Sequence, residues 1–363
     1  MAPDADGMAE RLDAPRVAPL SARHDAERDA LARALPDGSF FHLAGWRRAV
    51  VKCFGHEPRD LGAWRGDRLV GVLPLFACSR PLKAPVWVST AYAVYGGPCA
   101  EDSEAESALV RAGIDAARAA GAARLELRRR RPLADDAGLA RQELHATFRK
   151  PIPAAREEIL ARMPKKARAE ARKGIERHGL ELLEGAAHLD ELVRLFAANK
   201  KSLGSPTLPR RWFEALLEEL GADGGVRIHA VRRKEGPGTL AACMSFVFRD
   251  ELDYYYLGAT DEANRQWSVS NYLPCALQEW CFDQGLATFD FGRSRVDSGP
   301  HRFKEHQGFE PEPLAYRVAL LKDKELPSFH PGNPETERLR KLWTRLPDWA
   351  TNAASGVVMR WLP

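Results

Sequence analysis

The same order of predicted elements occurs twice along this chain: several strands, then a helix, then one more strand. Alternating apolar residues mark the strands, and apolar residues at helical spacing mark each helix. In both halves a glycine-containing turn, VYGGP or YLGAT, follows the last strand before the helix. The repeat predicts two copies of one α/β unit. Strands are predicted at residues 60–64, 69–77, 86–89, 92–95 and around 125 in the first copy, and at 226–233, 240–249, 252–259 and 287–291 in the second.

Length and composition fit a globular protein with two domains. The chain has 363 residues, of which 45% are hydrophobic and 29% charged, so each domain can bury a core. A net charge of +4 is too small for a general nucleic-acid binder, and we expect no DNA partner. The six cysteines form no CxxC pair and have no histidines at zinc spacing, so we expect buried thiols and no metal. No apolar run reaches the length of a signal peptide or a membrane span, which predicts a cytoplasmic protein.

Residues 288–318 combine unusual backbone with several chemically capable side chains. A short strand breaks at Gly292 into a polar loop, and Ser298 is placed to cap a helix that Gly308 ends in the left-handed conformation. On that helix, His301 and Lys304 lie one turn apart on one face. Lys304 either projects into a cleft, where it stabilises negative charge on a carbonyl oxygen or holds a donor phosphate, or it is a solvated surface lysine.

This stretch resembles the C-terminal signature of the FemAB-like proteins associated with exosortase/PEP-CTERM and exopolysaccharide loci, a branch of the GNAT-related acyltransferases. Further similar segments occur in the same order and extend the resemblance over nearly the whole chain after about residue 39. The resemblance implies an α/β (α+β) fold of tandem GNAT-like domains, each a mixed, mostly antiparallel sheet flanked by helices. The segments are FFHLAGWRRAVVKCFGHEP at 40–58, RLVGVLPL at 68–75, VYGGP at 94–98, TFRKPI at 147–152, KKARAEARKGI at 165–175, FDFGRSRVDSGPHRFKEHQGFEPEPLAYRV at 289–318 and RLPDW at 345–349.

The repeat and the resemblance together give a domain plan. A loose leader at 1–38 precedes a first GNAT-like domain at 39–150 and a basic helical linker region at 151–185. A second GNAT-like domain at 186–320 carries the site, and a tail at 321–363 is expected to pack back on the first domain.

The resemblance implies an acyl- or aminoacyltransferase whose acceptor is an amine or hydroxyl of a cell-envelope or exopolysaccharide precursor. The lysine of the family's FK motif corresponds to Lys304, which would stabilise the oxyanion, with Phe303 beside it; His301 and Asp290 are candidates for the base. Arg293 and Ser294 are expected to contact substrate. Tyr254 and Tyr256, which strand alternation places on one face, either line a cleft or form a half-exposed aromatic pair. The alternative is a GNAT-fold protein that has lost chemistry and binds a glycan or a partner in an exopolysaccharide system.

The donor stays open between acyl-CoA and aminoacyl-tRNA, and no tightly bound cofactor is expected. GNAT enzymes that use acetyl-CoA hold its pyrophosphate with a loop of the form R/Q-x-x-G-x-G/A at a helix N-terminus. The matching residues here are Arg265, Ser268 and Ser270, with Asn271 or Ser270 as the expected helix cap. Serine at both glycine positions adds a Cβ where phosphate would approach most closely, which weakens the acyl-CoA interpretation.

Two further stretches suggest partners. Residues 150–177 hold nine basic and four acidic residues, and a helix beginning at Lys165 would carry Lys165, Arg168, Arg172 and Lys173. This helix is either a solvated, ion-paired surface or a docking site for a polyanion such as a tRNA acceptor arm, a lipid diphosphate or an acidic glycan.

In the tail, Trp343, Trp349 and Trp361 alternate with arginines. They are expected to be buried in protein; peripheral contact with the inner face of the cytoplasmic membrane is the alternative.

Overall fold

Two six-stranded mixed sheets, two smaller sheets and flanking helices make up the computed structural model, which describes residues 14–326 and 334–361. The first sheet has the order β2-β5-β6-β8-β19-β9, and the second sheet has the order β11-β16-β15-β14-β13-β12. The smaller sheets are β1-β3-β4-β7 and β17-β10-β18. The strands are β1 Arg16–Pro19, β2 Glu57–Pro58, β3 Leu61–Arg65, β4 Arg68–Leu73, β5 Phe76–Arg80, β6 Lys83–Val88, β7 Cys99–Ala100, β8 Arg124–Leu127, β9 Ala140–Gln142, β10 His145–Thr147, β11 Arg149–Pro151, β12 Leu180–Glu184, β13 Val226–Arg233, β14 Thr239–Phe248, β15 Glu251–Ala259, β16 Thr288–Asp290, β17 Ser294–Arg295, β18 Glu312–Pro313 and β19 Tyr316–Leu320.

Helices cover the sheets and connect their strands. Most present an apolar stripe to a sheet, which is where their stability comes from. The helices are α1 Asp25–Ala34, α2 Ala44–Phe54, α3 Ser103–Ala119, α4 Glu157–Ala161, α5 Lys165–Glu176, α6 Leu189–Ser202, α7 Arg210–Leu220, α8 Asp261–Trp267, α9 Val269–Asp283, α10 Gly299–His306, α11 Pro334–Arg345 and α12 Asp348–Val358.

The repeated element order is confirmed as a structural repeat. In the first sheet β6 pairs in parallel with β8, and α3 lies between them in the chain. In the second sheet β15 pairs in parallel with β16, and α9 lies between them. Each unit therefore contains one parallel pair joined through a helical crossover within an otherwise mainly antiparallel sheet. The predicted mixed α/β fold is thus observed.

Two strand predictions in the first half were wrong. The predicted strand at 69–77 is divided at Pro74 into β4 and β5, which belong to different sheets. Proline cannot donate a ladder hydrogen bond, and it marks the point where the chain changes sheet. Residues 92–95 form a loop; Thr90, just before it, and Tyr92, its first residue, have φ values of 64° and 60°. The left-handed conformation interrupts the extended backbone that a strand requires.

The two units exchange strands, so the sheets do not follow the predicted domain boundaries. β11 pairs with β16 of the second sheet, although Arg149 and Lys150 lie within the predicted first domain. β12, from the predicted linker region, pairs with β13 of the same sheet. β19 returns to the first sheet between β8 and β9, although it lies within the predicted second domain. The chain therefore crosses between the units more than once.

One aromatic core also joins the two units. Trp46 of α2 is fully buried and packs edge-on against Trp212 of α7, with the ring centroids 5.2 Å apart. Phe40 stacks on Phe246 of the second sheet at 4.6 Å. Aromatic pairs of this kind add about 0.5–1.5 kcal/mol each beyond their buried area. This shared core fixes the position of each unit relative to the other, although their sheets remain separate.

The leader is ordered from residue 14 onward rather than loose. β1 pairs with β3, and Arg28 of α1 forms a fully buried ion pair with Asp60. Residues 1–13 lie outside the described residues.

The tail contacts both units. On the second unit, Arg340 of α11 donates to the carbonyl of Leu203, and the Ser355 hydroxyl of α12 accepts from the backbone N–H of Thr207. On the first unit, the backbone carbonyl of Met359 accepts from the Tyr92 hydroxyl at 2.9 Å. The expected burial of the tail tryptophans was wrong for Trp349 and Trp361, which are 75% and 39% exposed. Residues 327–333 lie outside the described residues. Within the described ranges, no helix has both the length and the apolar character needed to cross a bilayer.

Candidate active site

A cavity of about 580 Å³ opens where β15 and β16 diverge. The two strands pair only over Glu251–Asp253 and Thr288–Asp290. The residues that follow these paired segments in the chain line the cavity. Separation of two parallel neighbours leaves a wedge between them, a common location for a ligand site in an α/β sheet. The wall is formed by Tyr92, Ala93, Val94, Arg128, Phe196, Asn199, Lys200, Ser205, Pro206, Leu208, Tyr254, Tyr255, Tyr256, Leu257, Phe291, Gly292, Arg293, Lys304 and Met359.

A bulge in β15 changes the predicted arrangement of the tyrosines. Met244 lies opposite Tyr256 and Ser245 lies opposite Tyr254, so Tyr255 is an extra residue on β15. Such an insertion shifts the alternation of side chains by one position. Tyr254 therefore packs in the core of the second unit, whereas Tyr256 packs in the core that joins the units. The prediction that these two residues share one face was wrong, although both line the cavity.

The helix that carries Lys304 forms as predicted. The Ser298 hydroxyl accepts from the backbone N–H of His301 at 3.3 Å, Pro300 lies in the first turn, and Gly308 follows with φ of 81°. At Gly308 an added Cβ would lie 2.8 Å from the Pro164 ring, so close approach as well as backbone conformation requires glycine. These constraints fix where α10 begins and ends, and hence where Lys304 points.

Lys304 is buried, in contrast to the exposed lysine of the surface interpretation. It is 8% exposed, and its Nζ donates to the carbonyl oxygens of Gly292 at 2.8 Å and Arg293 at 3.3 Å. The ammonium also lies 5.2 Å from the ring centroids of both Phe148 and Phe291. Burial lowers its pKa from 10.5 to about 7; the nearby Asp290 carboxylate opposes this effect and Arg293 adds to it. The amino group at the cavity wall is therefore close to half protonated at neutral pH.

Asp290 lies behind the cavity wall and does not face the cavity. It is fully buried, is absent from the cavity wall, and accepts hydrogen bonds from Tyr95, from Thr147 at 3.0 Å and from the Gly292 backbone at 2.7 Å. Burial, together with the nearby Glu251 carboxylate, raises its pKa to about 6, whereas the hydrogen bonds from Tyr95 and Gly292 oppose the rise. Asp290 is linked to Lys304 through Gly292, whose carbonyl accepts from the Lys304 ammonium. Asp290 does not line the cavity, and its assignment as a candidate base stays a prediction.

His301, Phe303 and Ser294 also lie outside the cavity wall. His301 is 8% exposed, packs edge-on against Phe148 at 5.1 Å and has its Nδ1 3.3 Å from Glu305. Phe303 packs against Phe291 at 6.2 Å, and Ser294 is buried in β17. His301 and Phe303 pack against the aromatic rings that lie beside Lys304, and none of the three residues lines the cavity.

The cavity wall contains three cationic residues besides Lys304, namely Arg128, Lys200 and Arg293. Arg293, predicted from the sequence, donates to the Tyr316 hydroxyl at 3.0 Å. Lys200 of α6 is not among the site residues predicted from the sequence. Its ammonium lies 5.1 Å from the Phe196 ring, and burial lowers its pKa. A lysine on the inward stripe of an amphipathic helix is the sequence signal that could have identified it.

The predicted donor loop lies at the junction of α8 and α9. Ser268 has the left-handed φ of 58°, the conformation expected of the glycine that it replaces, and its hydroxyl donates to the Glu170 carboxylate at 2.5 Å. Ser268 precedes α9 without a side-chain cap, so the expected cap by Asn271 or Ser270 was wrong. Asn271 instead accepts from Gln307 at 2.6 Å, and Arg265 lies exposed on α8. A carboxylate at this position repels a pyrophosphate, which weakens an acyl-CoA site further.

The basic helix forms as predicted and packs on α9 through its small residues. Ala167, Ala171 and Gly174 face inward, whereas Lys165 and Arg172 are exposed. Several cations on it have partners: the Arg168 guanidinium donates to the Ala161 carbonyl at 2.8 Å, Lys173 lies 3.5 Å from Glu170 and Arg172 lies 3.7 Å from Glu176. Exposed pairs at these distances contribute little to stability, so a polyanion can displace them.

The structure brings together three carboxylates that are distant in sequence. Carboxylate oxygens of Glu251, Asp253 and Asp290 lie within 4.8 Å of one another because β15 and β16 pair in register. Arg149 forms an ion pair with Glu251 and lies 3.8 Å from Asp290, and Arg130 lies 3.7 Å from Glu251. Burial raises the pKa of Asp253 well above its usual value. The two guanidiniums offset the clustered negative charge, so ion pairing accounts for the arrangement.

Comparison with known proteins agrees with this geometry. Residues 161–305, from the end of α4 to Glu305 in α10, match the family model of an acetyltransferase (GNAT) domain. No curated protein matches the sequence significantly.

Solved structures with similar folds cover both units. The crystal structure of FemX superposes with a TM-score of 0.67 at 15% identity, over 85% of this chain and 98% of that one. The C-terminal domain of a putative lysylphosphatidylglycerol synthetase from Agrobacterium fabrum gives 0.54 at 16% identity, over 82% and 93%. A tandem GNAT protein from the clavulanic acid biosynthesis pathway gives 0.53 at 14% identity, over 86% and 100%. Residues 161–305 thus match the model of a GNAT domain, and the chain as a whole shares the fold of these solved structures, one of which is a tandem GNAT protein.

Proposed function

We propose that this protein transfers an acyl or aminoacyl group to an amine or hydroxyl acceptor in the cavity between β15 and β16. The observation that carries the proposal is the Lys304 ammonium, which is held in the cavity wall by two backbone carbonyls and two aromatic rings. A buried cation fixed in one geometry stabilises negative charge that develops beside it, and it need not reorganise during the reaction.

The chemistry follows from that placement. The acceptor nitrogen or oxygen attacks the donor carbonyl, and the carbonyl oxygen gains negative charge that the Lys304 ammonium stabilises. Collapse of this intermediate releases CoA thiol or the tRNA hydroxyl, and the acceptor's proton leaves with it or passes to solvent. Neither His301 nor Asp290 reaches the cavity, so the base is unassigned. The apolar parts of Tyr254, Tyr255 and Phe291 limit the water that could intercept the donor.

Aminoacyl-tRNA fits the surface around the site better than acyl-CoA. Ser268 and Glu170 occupy the position where the GNAT loop would hold a pyrophosphate. The exposed cations of α5 lie on the helix that carries Glu170, and a tRNA acceptor arm matches their charge. FemX and a lysylphosphatidylglycerol synthetase domain share the fold, which is compatible with an aminoacyl donor.

For the acceptor we propose a cell-envelope or exopolysaccharide precursor, as in the FemAB-like branch associated with PEP-CTERM loci. A lipid-linked acceptor would bring the protein to the inner face of the cytoplasmic membrane. The tail supports this placement, because Leu342, Trp349 and Val357 are 58%, 75% and 55% exposed and arginines flank them. Indole rings and cations together suit the headgroup region of a bilayer.

The alternative, a catalytically inactive glycan-binding component, is less well supported. It predicts that Trp267 or Tyr256 fills the cleft. Trp267 is absent from the cavity wall and instead packs against His178 and Arg233. Tyr256 lines the cavity, but the Trp212 indole N–H donates to its hydroxyl at 2.9 Å and holds it at the edge of the shared core.

Mass spectrometry of envelope and exopolysaccharide precursors tests the proposed function. Precursors extracted from cells that lack this protein are incubated with purified protein and either labelled acetyl-CoA or labelled aminoacyl-tRNA. We expect a mass increase equal to one acyl or aminoacyl group, with label from aminoacyl-tRNA. Label from acetyl-CoA alone would correct the donor, and no transfer from either donor would contradict the proposal.

A further inference from the structure

Lys304 lies in the wall of the transfer cavity, where the activated carbonyl of a donor is expected to bind. In the proposed reaction the carbonyl oxygen contacts the Lys304 nitrogen, and the carbonyl carbon is only about 1.2 Å further along the bond. An uncharged amine this close to an activated carbonyl is itself a nucleophile. The residue that stabilises the oxyanion can therefore also react in place of the acceptor.

Two hydrogen bonds fix the direction in which this amine points. Nζ donates to the carbonyl oxygens of Gly292 at 2.8 Å and Arg293 at 3.3 Å, and no other hydrogen bond or ion pair to Nζ forms within residues 14–326 and 340–361. An ammonium has three N–H groups, so one of them lacks a partner among these residues. A neutral amine has two, which the two carbonyls accept, and its lone pair takes the remaining direction. The neutral form is therefore fully hydrogen-bonded, with its lone pair available to a carbonyl in the cavity.

The surroundings of Lys304 favour this neutral form. Burial disfavours the ammonium and lowers the pKa of Lys304 to about 7; the Asp290 carboxylate of β16 opposes this effect, and the Arg293 guanidinium adds to it. The cavity wall also contains Lys200 of α6 and the ion-paired Arg128, and no acidic residue of the described ranges lines the cavity. At pH 7 about half of the Lys304 side chains are thus neutral, compared with about 0.04% for an exposed lysine.

We propose that Lys304 is a self-acylation site: its neutral amine attacks the carbonyl of an activated acyl donor when no acceptor occupies the cavity, and the amide that forms inactivates the site. The inference rests on the proposed function for the identity of the natural donor. Reaction with a simple activated ester requires only the cavity and the amine, so it can be examined without transfer.

The step is the aminolysis of a thioester or ester. The Nζ lone pair forms a bond to the donor carbonyl carbon, and the π electrons of the carbonyl move onto its oxygen. When this intermediate collapses, the bond to the leaving group breaks; the leaving sulfur or oxygen keeps that electron pair and receives one proton from the nitrogen. The products are an acylated Lys304 and the CoA thiol or the tRNA hydroxyl. Acylation removes the charge of the lysine, and the acyl group fills part of the cavity, so the product cannot stabilise an oxyanion.

Competitive labelling with p-nitrophenyl acetate tests the proposal on the wild-type protein. The folded protein is exposed briefly to the ester at pH 6, 7, 8 and 9 and then unfolded, and the remaining lysines are blocked with deuterated acetic anhydride. Mass spectrometry after proteolysis gives the extent of reaction at each lysine. The rate at Lys304 should rise about tenfold from pH 6 to pH 8 and then level off, because the amine is by then almost fully neutral. At an exposed lysine such as Lys165 the rate should rise about tenfold per pH unit throughout.

Lys150 and Lys200 serve as internal controls, because burial lowers the pKa of both. Lys150 does not line the cavity, whereas Lys200 lines it without the two carbonyl acceptors that hold Lys304. At pH 7 the label on Lys304 should exceed that on either control by about threefold or more. Absence of acetyl on Lys304 at pH 8, a rate that keeps rising tenfold per unit up to pH 9, or stronger labelling of Lys150 or Lys200 would overturn the proposal.

A second arm replaces the ester with labelled acetyl-CoA or labelled aminoacyl-tRNA, with and without extracted precursor. We expect label on Lys304 from the donor that supports transfer, and about a tenfold loss of that label when saturating precursor occupies the cavity. Label that precursor does not reduce would overturn the protection by acceptor, and with it the proposal. Ester labelling of Lys304 without transfer from either donor would support this inference and contradict the proposed function, so the two failures can be told apart.

Discussion

Replacement of Lys304 by methionine should reveal the cost of burying its charge as a pH-dependent change in stability. Methionine keeps the length and apolar contacts of the side chain and removes the amino group. In the folded protein the pKa of Lys304 is about 7, whereas the reference value is 10.5. Because each pH unit corresponds to about 1.4 kcal/mol, the buried ammonium costs the fold about 5 kcal/mol below pH 7, as an upper value.

The sign of the pH dependence follows from proton counts. Between about pH 7 and pH 10 the unfolded chain binds a proton at Lys304 and the folded chain does not, so the free energy of unfolding of the wild type rises with pH. The methionine variant lacks this rise. The bonds from Nζ to Gly292 and Arg293 stabilise the ammonium and offset part of the cost. We therefore expect the stability difference, wild type minus Lys304→Met, to increase by about 1–3 kcal/mol from pH 6 to pH 9.

Urea unfolding followed by tryptophan fluorescence at pH 6, 7, 8 and 9 measures this difference. Groups that titrate in both proteins cancel when the two free energies are subtracted. A difference that stays constant over this range, or that falls with pH, would refute the burial of a charged Lys304. The same protonation should govern catalysis: if the ammonium is the working form, kcat/KM should fall as pH rises through about 7.

Three further predictions address the rest of the site. Because burial raises the pKa of Asp290 to about 6, the wild type should lose stability relative to Asp290→Asn as pH rises from about 4 to 6. A difference in the free energy of urea unfolding that stays constant over this range would contradict the raised pKa. Lys165→Gln with Arg172→Gln should reduce tRNA affinity and its salt dependence in filter binding, whereas equal binding by wild type and double variant would remove α5 as the docking surface. Trp349→Ala should reduce sedimentation with anionic liposomes, and unchanged pelleting would leave the exposed indole without a membrane role.

The second unit was predictable because local signals agree there. Alternating apolar residues located β13 at its observed bounds, and β14 and β15 within one residue at each end. The cap at Ser298 and the left-handed Gly308 located α10 closely. At each of these places local propensity and the final packing favour the same structure, which is why sequence reasoning succeeds.

The features that sequence reasoning missed depend on contacts between distant segments. The burial of Lys304 requires Phe148, which precedes the second unit, to lie over its ammonium. The division of the tyrosines requires an extra residue opposite Met244 and Ser245, which the alternating pattern of β15 does not reveal. The return of β19 to the first sheet likewise depends on long-range pairing. Local patterns carry no information about such pairings.

The central claim is that Lys304 acts on the reacting carbonyl, and transfer by purified variants tests it most directly. Lys150→Met is the matched control, because Lys150 is half-buried, lies 5.4 Å from the Phe309 ring, as Lys304 lies beside aromatic rings, and does not line the cavity. With saturating donor and extracted precursor at pH 7, Lys304→Met should lower kcat by about 10²–10³, the loss expected for one oxyanion-stabilising donor. Lys150→Met should keep kcat within about threefold of the wild type, as expected for a change outside the site. Equal kcat values for wild type and a folded Lys304→Met would contradict the account.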